Sequence, residues 1–397
     1  MFATAVECSK CGQKYDPNEV LTVCTKCGGA LLFRYDLAKI AEKISKRALR
    51  RRDATFWKFI EFLPIASLKN IVSLGEPYTP ILKLPKERDM PFKHVYLKDD
   101  GRLPTGTFKA RGMAVAVSRL KELGVKRLAI PSAGNAAAAL AAYGAKAGIE
   151  VYAFMPEDAP EITINECFHL GAKVYLVDGL INDAAAMMNR YGEKYRWFDV
   201  STNKQPYRFE GYKVMAFEIA EQFGWNPPDV ILFPTGGGEG VIGLWKGFKE
   251  LTELGWIRET PRLVIVQSSG CAPLVEAFNR REDEVKTPWE NAQTIAAGLR
   301  VPRPYASYLI LRAVRETKGA AIAVKDEEII SAMKRLLKKG VYACIEAAAT
   351  LAALNKGRDI RFFDLDEKIL LYLTGTAMKN FDLIKFDRGE VPLLARS

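Results

Sequence analysis

Two patterns in this 397-residue chain could hold a reactive group. The first is the glycine burst Thr235-Gly236-Gly237-Gly238-Glu239-Gly240, set between the apolar run VILFP and a helix-like segment. Backbone N–H groups at such a strand-to-helix turn form a nest that suits one phosphate monoester. The run from Gly238 to Gly243 satisfies G-x-G-x-x-G, but the next strand-like run, RLVIVQSS, ends without the acid that a dinucleotide ribose needs. Gly243 is followed by Leu244, so an ATP P-loop fails as well. Glu239 inside the nest would repel a phosphate, so its side chain is expected to turn toward solvent or a basic partner. The second pattern is Lys109, which follows Phe108 just inside a predicted helix after a Pro-Thr-Gly turn. A lysine together with a monoester site is what pyridoxal phosphate requires: the amine forms a Schiff base and backbone amides hold the phosphate.

A third pattern lies apart from these. Cys8 and Cys11 form CSKC, and Cys24 and Cys27 form CTKC. Two such knuckles can present four thiolates to one zinc ion, and with all four positions taken the metal is structural. A pair of disulfides is the alternative, which a cytosolic setting disfavours. Cys167, Cys271 and Cys344 stand alone and read as buried hydrophobes. His94 and His169 are the only histidines and neither sits in a motif, which argues against Ser-His-Asp chemistry and histidine-rich metal sites. An enzymatic base would then be Lys, Asp, Glu or Tyr.

The elements that position these residues alternate in type. Strand-like runs HVYLK, RLAIPS, EVYAFMP, AKVYLVD, WFDVS, DVILFP, RLVIVQSS and KILLYLTG are interleaved with helix-like segments. Those helices are predicted over 108–123, 135–147, 162–170, 183–195, 212–223, 240–254, 326–339 and 346–355. Such alternation predicts parallel sheets flanked by helices, and the strands are too many for one ordinary sheet, so two α/β domains with a cleft are expected. Ligands then sit beyond the carboxyl ends of strands, where KDDGRLPTGTFKARG, PSAGNAAAA, PTGGGEG and LTGTAMKN all fall.

Composition narrows the classes. The hydrophobic content of 49% is ample for large cores. No apolar run is long enough to span a bilayer, and MFATAVECSK lacks the form of a secretory signal, so a cytoplasmic protein is expected. The net charge of +11 invites a nucleic-acid reading, with the cysteine module as a nucleic-acid binder. The one dense basic run, KRALRRR, makes charge spread over solvated helices the better account, and attraction of small anionic substrates is a third.

Taken together, these motifs resemble the fold-type II pyridoxal-phosphate enzymes, and most closely the threonine synthases, over nearly the whole chain. SLGEPYTPILKLP resembles the family's S-L-G-E-G-x-T-P-L, PTGTFKARG its P-T-G-S-F-K-D-R-G, and SAGNA its S-x-G-N-T. PYRFEGYKV resembles P-x-R-x-E-G-x-K-T, and LTGTAMKN resembles L-T-G-N-G-L-K-D. The cysteine module is similar to the zinc-ribbon start of many archaeal members. The resemblance implies that Lys109 is the Schiff-base lysine and that Asn135 faces the cofactor's 3′-oxygen. It implies that Ser132, Ala133, Gly134, Asn135 and Ala136 surround the substrate carboxylate. Thr235, Gly236, Gly237, Gly238, Glu239 and Gly240 would cradle the phosphate, with Thr374 opposite the pyridine nitrogen. Arg208 would bind a substrate phosphate, with Arg111 and Lys213 as weaker candidates. Arginine suits bidentate phosphate binding.

The implied reaction is that of threonine synthase on O-phosphohomoserine. The lysine removes the α- and then a β-proton, phosphate leaves the γ-carbon, and water adds at the β-carbon. Departures keep two alternatives open: a threonine or serine dehydratase, and a β-replacement enzyme of the cysteine synthase type using a phosphoserine-like substrate. Ala110 replaces Asp after the lysine, Thr202-Asn203 replaces Asn-Ser, Gln205 replaces Asn, and Glu346–Thr350 lacks the usual Pro and Ser. The expected architecture is a zinc ribbon over 1–40, a small domain over 93–190 and a large domain over 41–92 and 191–397. A homodimer is expected by analogy with the family.

Overall fold

In the computed structural model, residues 1–85, 90–359 and 362–384 are described; the parts of the expected large domain that fall on 86–89, 360–361 and 385–397 lie outside them. Thirteen strands among the described residues form three sheets. β1 (Ala3–Cys8), β2 (Lys14–Tyr15) and β3 (Leu31–Tyr35) make a small antiparallel sheet in the order β2-β1-β3.

The remaining strands divide into two larger sheets. β4 (Ile81–Lys83), β5 (His94–Asp99), β10 (Val230–Pro234), β11 (Arg262–Ser268), β12 (Ala320–Val324) and β13 (Lys368–Leu373) form one. Its order is β12-β11-β10-β13-β5-β4, parallel except for β4. β6 (Arg127–Pro131), β7 (Glu150–Pro156), β8 (Lys173–Val177) and β9 (Phe198–Asp199) form the other, fully parallel, in the order β8-β7-β6-β9. The strand HVYLK, expected beside Lys109 in the smaller unit, pairs instead with β13 and β4 in the six-stranded sheet. Burial accounts for the placement: Val95, Leu97 and Lys98 are enclosed there, with the Lys98 ammonium met by Glu218 at 2.6 Å. WFDVS contributes β9 to the four-stranded sheet, beyond residue 190.

β10 and β11 are buried along nearly their whole length, as apolar strands covered on both faces must be. Three helices pack closely near the sheet ends: Lys109–Glu122, Tyr207–Gln222 and Glu239–Glu253. The second begins five residues before the predicted 212, because Gly211 does not break it. A Cβ at Gly211 would run into the Arg111 carbonyl, so glycine is where two helix backbones touch. Gly243 serves the third helix in the same way, where a Cβ would lie 2.8 Å from the Tyr212 carbonyl carbon. These two crossings bring the first turns of all three helices together. Those turns carry Lys109, Arg208 and Glu239. Among the described residues no helix is long and apolar enough to cross a membrane.

Candidate active site

A cavity opens where the carboxyl ends of β10 and β13 and the Thr107–Lys109 turn face the start of the Asn135–Ala147 helix that follows β6. Lys109, Ser132 through Ala136, Gly236 through Gly240 and Thr374 all line it. Residues predicted from segments more than 260 positions apart thus meet in one place.

Gly238 leaves β10 with φ +79°, and the helix starts at Glu239. A side chain at Gly236, Gly237, Gly238 or Gly240 would strike, respectively, the Gly298 carbonyl, Thr202, Ile310 or Phe233. The cradle is therefore open backbone by packing necessity, and its N–H groups stand at the positive end of a helix. Asn203, at φ +63°, braces it by donating from Nδ2 to the Gly237 carbonyl at 2.6 Å. Thr235 does not join the lining: its hydroxyl donates back to the Phe233 carbonyl at 2.8 Å, and its N–H is taken by Val266.

Lys109 Nζ lies 3.3 Å from Glu239 Oε2 and 4.6 Å from the centre of the Phe108 ring. Burial lowers its pKa below the ordinary lysine value, against the opposing pull of Glu239. A lysine so placed reaches its neutral, nucleophilic form at lower pH than a free one. Glu239 takes the basic-partner course rather than solvent: its side chain is 1% exposed and is held between Lys109 and Arg208.

That pairing corrects the expectation for Arg208. Its guanidinium is fully buried, bonded to Glu239, to the Val200 carbonyl at 2.8 Å and to the Tyr212 hydroxyl at 3.2 Å, and it does not line the cavity. The cause is Glu239 on the facing first turn, which neutralises it before any substrate arrives. Arg111 and Lys213 are further from the role. Arg111 is enclosed by Asp100 and Glu218, and Lys213 by Glu210 and Glu250.

Asn135 carries a buried Oδ1 with no hydrogen-bond partner, and it points to a missing donor at the cavity wall. Ser132 Oγ accepts from the N–H groups of Gly134 and Ala137 at 3.1 and 3.2 Å, fixing the turn before this helix. Thr374 Oγ1 lies 3.7 Å from Cys344 Sγ, and burial pushes the Cys344 thiol well above its ordinary pKa. The groups in direct contact here, a thiol and a hydroxyl, are neutral, and the Glu346 carboxylate beside Cys344 adds to the rise of the thiol's pKa. Cys344, which reads from the sequence only as a buried hydrophobe, and the Ala297–Leu299 turn, which carries no motif, both line the cavity. Glu346 braces that turn by accepting from the Gly298 N–H at 3.0 Å. Their only signal was proximity in space, although EAAAT marks Glu346 as a departure from the family pattern.

The open cradle, the orphaned Asn135 oxygen and the lysine with lowered pKa together fit pyridoxal phosphate. Outside the cavity, the sulfurs of Cys8, Cys11, Cys24 and Cys27 lie within 4.8 Å of one another, close enough to hold a metal ion.

Comparison with known proteins agrees with this fit. Residues 72–375 match the family model described as pyridoxal-phosphate dependent enzyme. The chain is 38% identical to the threonine synthase of Methanocaldococcus jannaschii, over 94% of this chain and 93% of that one. It is 34% identical to the threonine synthase of Methanosarcina acetivorans, over 94% and 92%. Maize serine racemase shares the fold with a TM-score of 0.67 at 22% identity, over 77% of this chain and 90% of that one. The chain belongs to the pyridoxal-phosphate dependent enzyme family.

Proposed function

We propose that this protein is a threonine synthase, a lyase converting O-phosphohomoserine and water to threonine and phosphate. The observation that carries the reading is Lys109 Nζ, with its pKa lowered by burial, sharing a cavity with the glycine cradle and Asn135. Similarity to two archaeal threonine synthases over nearly the full chain supports the substrate class.

In this reading Lys109 would hold the cofactor through Nζ, Gly236–Gly240 would bind its phosphate, and the Asn135 amide would face its ring hydroxyl, a donor of the kind Oδ1 lacks. Pyridoxal phosphate supplies an electron sink that stabilises negative charge on the substrate's carbon chain. Lys109 then moves protons at the α- and β-carbons, and the Phe108 ring beside Nζ keeps the amine poorly solvated. Ser132–Ala136 present the start of a helix to the substrate carboxylate. Thr374, which lines the cavity beside the Cys344 thiol, would offer the pyridine nitrogen a neutral hydroxyl. Cys8, Cys11, Cys24 and Cys27 hold one structural zinc ion, and the working form is a cytoplasmic homodimer.

One observation favours a threonine or serine dehydratase instead: Arg208, the expected anchor of a substrate phosphate, is already consumed by Glu239. Incubating the cofactor-loaded protein with O-phosphohomoserine, and separately with threonine, separates the two. Equal amounts of threonine and phosphate from the first establish the synthase. Oxobutyrate from the second, with O-phosphohomoserine untouched, establishes the dehydratase.

A further inference from the structure

The loss of Arg208 to Glu239 leaves a question of charge. A phosphate monoester carries close to two negative charges at neutral pH, and the two helix starts at the cavity are already given to the cofactor phosphate and the substrate carboxylate. Among the described residues that line the cavity, Lys109 and Lys379 are the cations. Lys109 is committed to the cofactor. Lys379 stands just after β13, in the segment LTGTAMKN, and is 7% exposed. Its stem lies over the turn that leads to Lys109: a Cβ at Gly106 would sit 3.2 Å from Lys379 Cε. Next to Gly106 in that turn, Thr107 lines the cavity and has a buried hydroxyl with no hydrogen-bond partner.

Lys379 Nζ is held by Glu166, at 2.7 Å from Oε1 and 2.5 Å from Oε2. Glu166 belongs to the Glu161–His169 helix that leads into β8, so the pair spans the two large sheets. The partners are unequal. Glu166 is 33% exposed and can return to water, whereas Lys379 cannot reach solvent without leaving the cavity wall. A buried ammonium needs an anion, and a phosphate dianion outbids a partly exposed carboxylate.

We propose that Lys379 is the cation that receives the phosphate group of the substrate, with Glu166 as the placeholder it displaces and the Thr107 hydroxyl as an added donor. The inference rests on the reading of the substrate as O-phosphohomoserine, and it resolves the objection raised by Arg208.

A purely structural bridge predicts that removing either partner acts in the same direction. An anion site with a placeholder predicts opposite signs. The test uses cofactor-loaded protein, with inorganic phosphate binding measured by calorimetry and O-phosphohomoserine turnover measured alongside. Lys379→Met should weaken phosphate binding and raise KM roughly 10- to 100-fold, the span of one charge-assisted hydrogen bond. The cofactor's absorbance should be unchanged, which also verifies folding. Glu166→Gln should tighten phosphate binding a few-fold. Shifts of the same sign in both variants, or none in Lys379→Met, overturn the proposal while leaving the synthase reading intact if O-phosphohomoserine is consumed. Opposite shifts in phosphate binding without turnover of O-phosphohomoserine would support the anion site and sink the synthase reading.

Discussion

Lys109 and Arg111 are two residues apart on the first turn of one helix, and both lie in the motif TGTFKARG. Arg111 is saturated. Its Nε and both terminal nitrogens donate to Asp100, Glu218 and Thr79 at 2.7–2.9 Å, and Asp100 in turn accepts from Tyr372. These carboxylates raise its pKa further, against the cost of burial. Around Lys109 the accounting is left open. The amine has one hydrogen-bonded partner, at 3.3 Å, and Thr107 Oγ1, Asn135 Oδ1, Asn203 Oδ1 and Arg208 Nε nearby have none. Both clusters are ionic, so charge pairing alone does not separate structure from site, although the Lys109 side chain keeps 21% exposure on the cavity and that of Arg111 has none. The difference between these two lies in completeness: the Arg111 cluster satisfies itself, and the groups around Lys109 keep spare valence at a cavity wall.

Substitutions at the two positions should split cleanly. Lys109→Ala should abolish lyase activity, by roughly three orders of magnitude or more, since nucleophile and proton carrier are lost together. Its urea unfolding midpoint should hold or rise. Arg111→Met should do the reverse in kind. It strands Asp100 and Glu218 without their partner, which costs about 3–5 kcal/mol in denaturant unfolding. Comparable destabilisation by both variants would erase the contrast.

Removing the metal proposed at Cys8, Cys11, Cys24 and Cys27 should be next in size. Chelation should lower the melting temperature by several degrees, since about 1 kcal/mol already shifts a large domain by ~2–4 °C. The module grips the body directly: Arg312 donates to the Ser9 carbonyl at 3.1 Å, and the Leu21 N–H donates to Tyr207 Oη at 2.9 Å. An unchanged melting curve together with no bound zinc in the purified protein would remove the metal from the account.

The smallest effect concerns pH. The folded-state pKa of Lys109 lies below its unfolded value, so between the two the unfolded chain binds more protons. Stability therefore rises with pH across that alkaline window, and the cofactor-free protein should gain from it. In Lys109→Met this increment should vanish, while Arg111→Met should keep it. Equal slopes in wild type and Lys109→Met would show that the lysine is not desolvated.

Much of this contrast was legible in the residues, and the rest was not for identifiable reasons. The 135–147 helix was placed to the residue, because Gly134 and Gly148 punctuate an alanine run at both ends. The cradle and Lys109 were visible because local turn chemistry demands glycine and proline at fixed offsets. The start of the 207–222 helix was missed because Gly211 reads locally as a break, and only its contact with Arg111 explains it. HVYLK was assigned to the wrong sheet because its partner β13 lies some 270 residues away. The fate of Arg208 and the pairing of Lys379 with Glu166 are likewise long-range facts. Sequence motifs placed each cation near the site, and only packing decided which of them was already neutralised.

The account turns on which lysine in the cavity carries the cofactor, and borohydride reduction of the loaded protein followed by peptide mass mapping answers that directly. The pyridoxyl group should be found on the peptide containing Lys109 and be absent from Lys109→Ala. A pyridoxyl group on Lys379 would contradict the assignment of both residues.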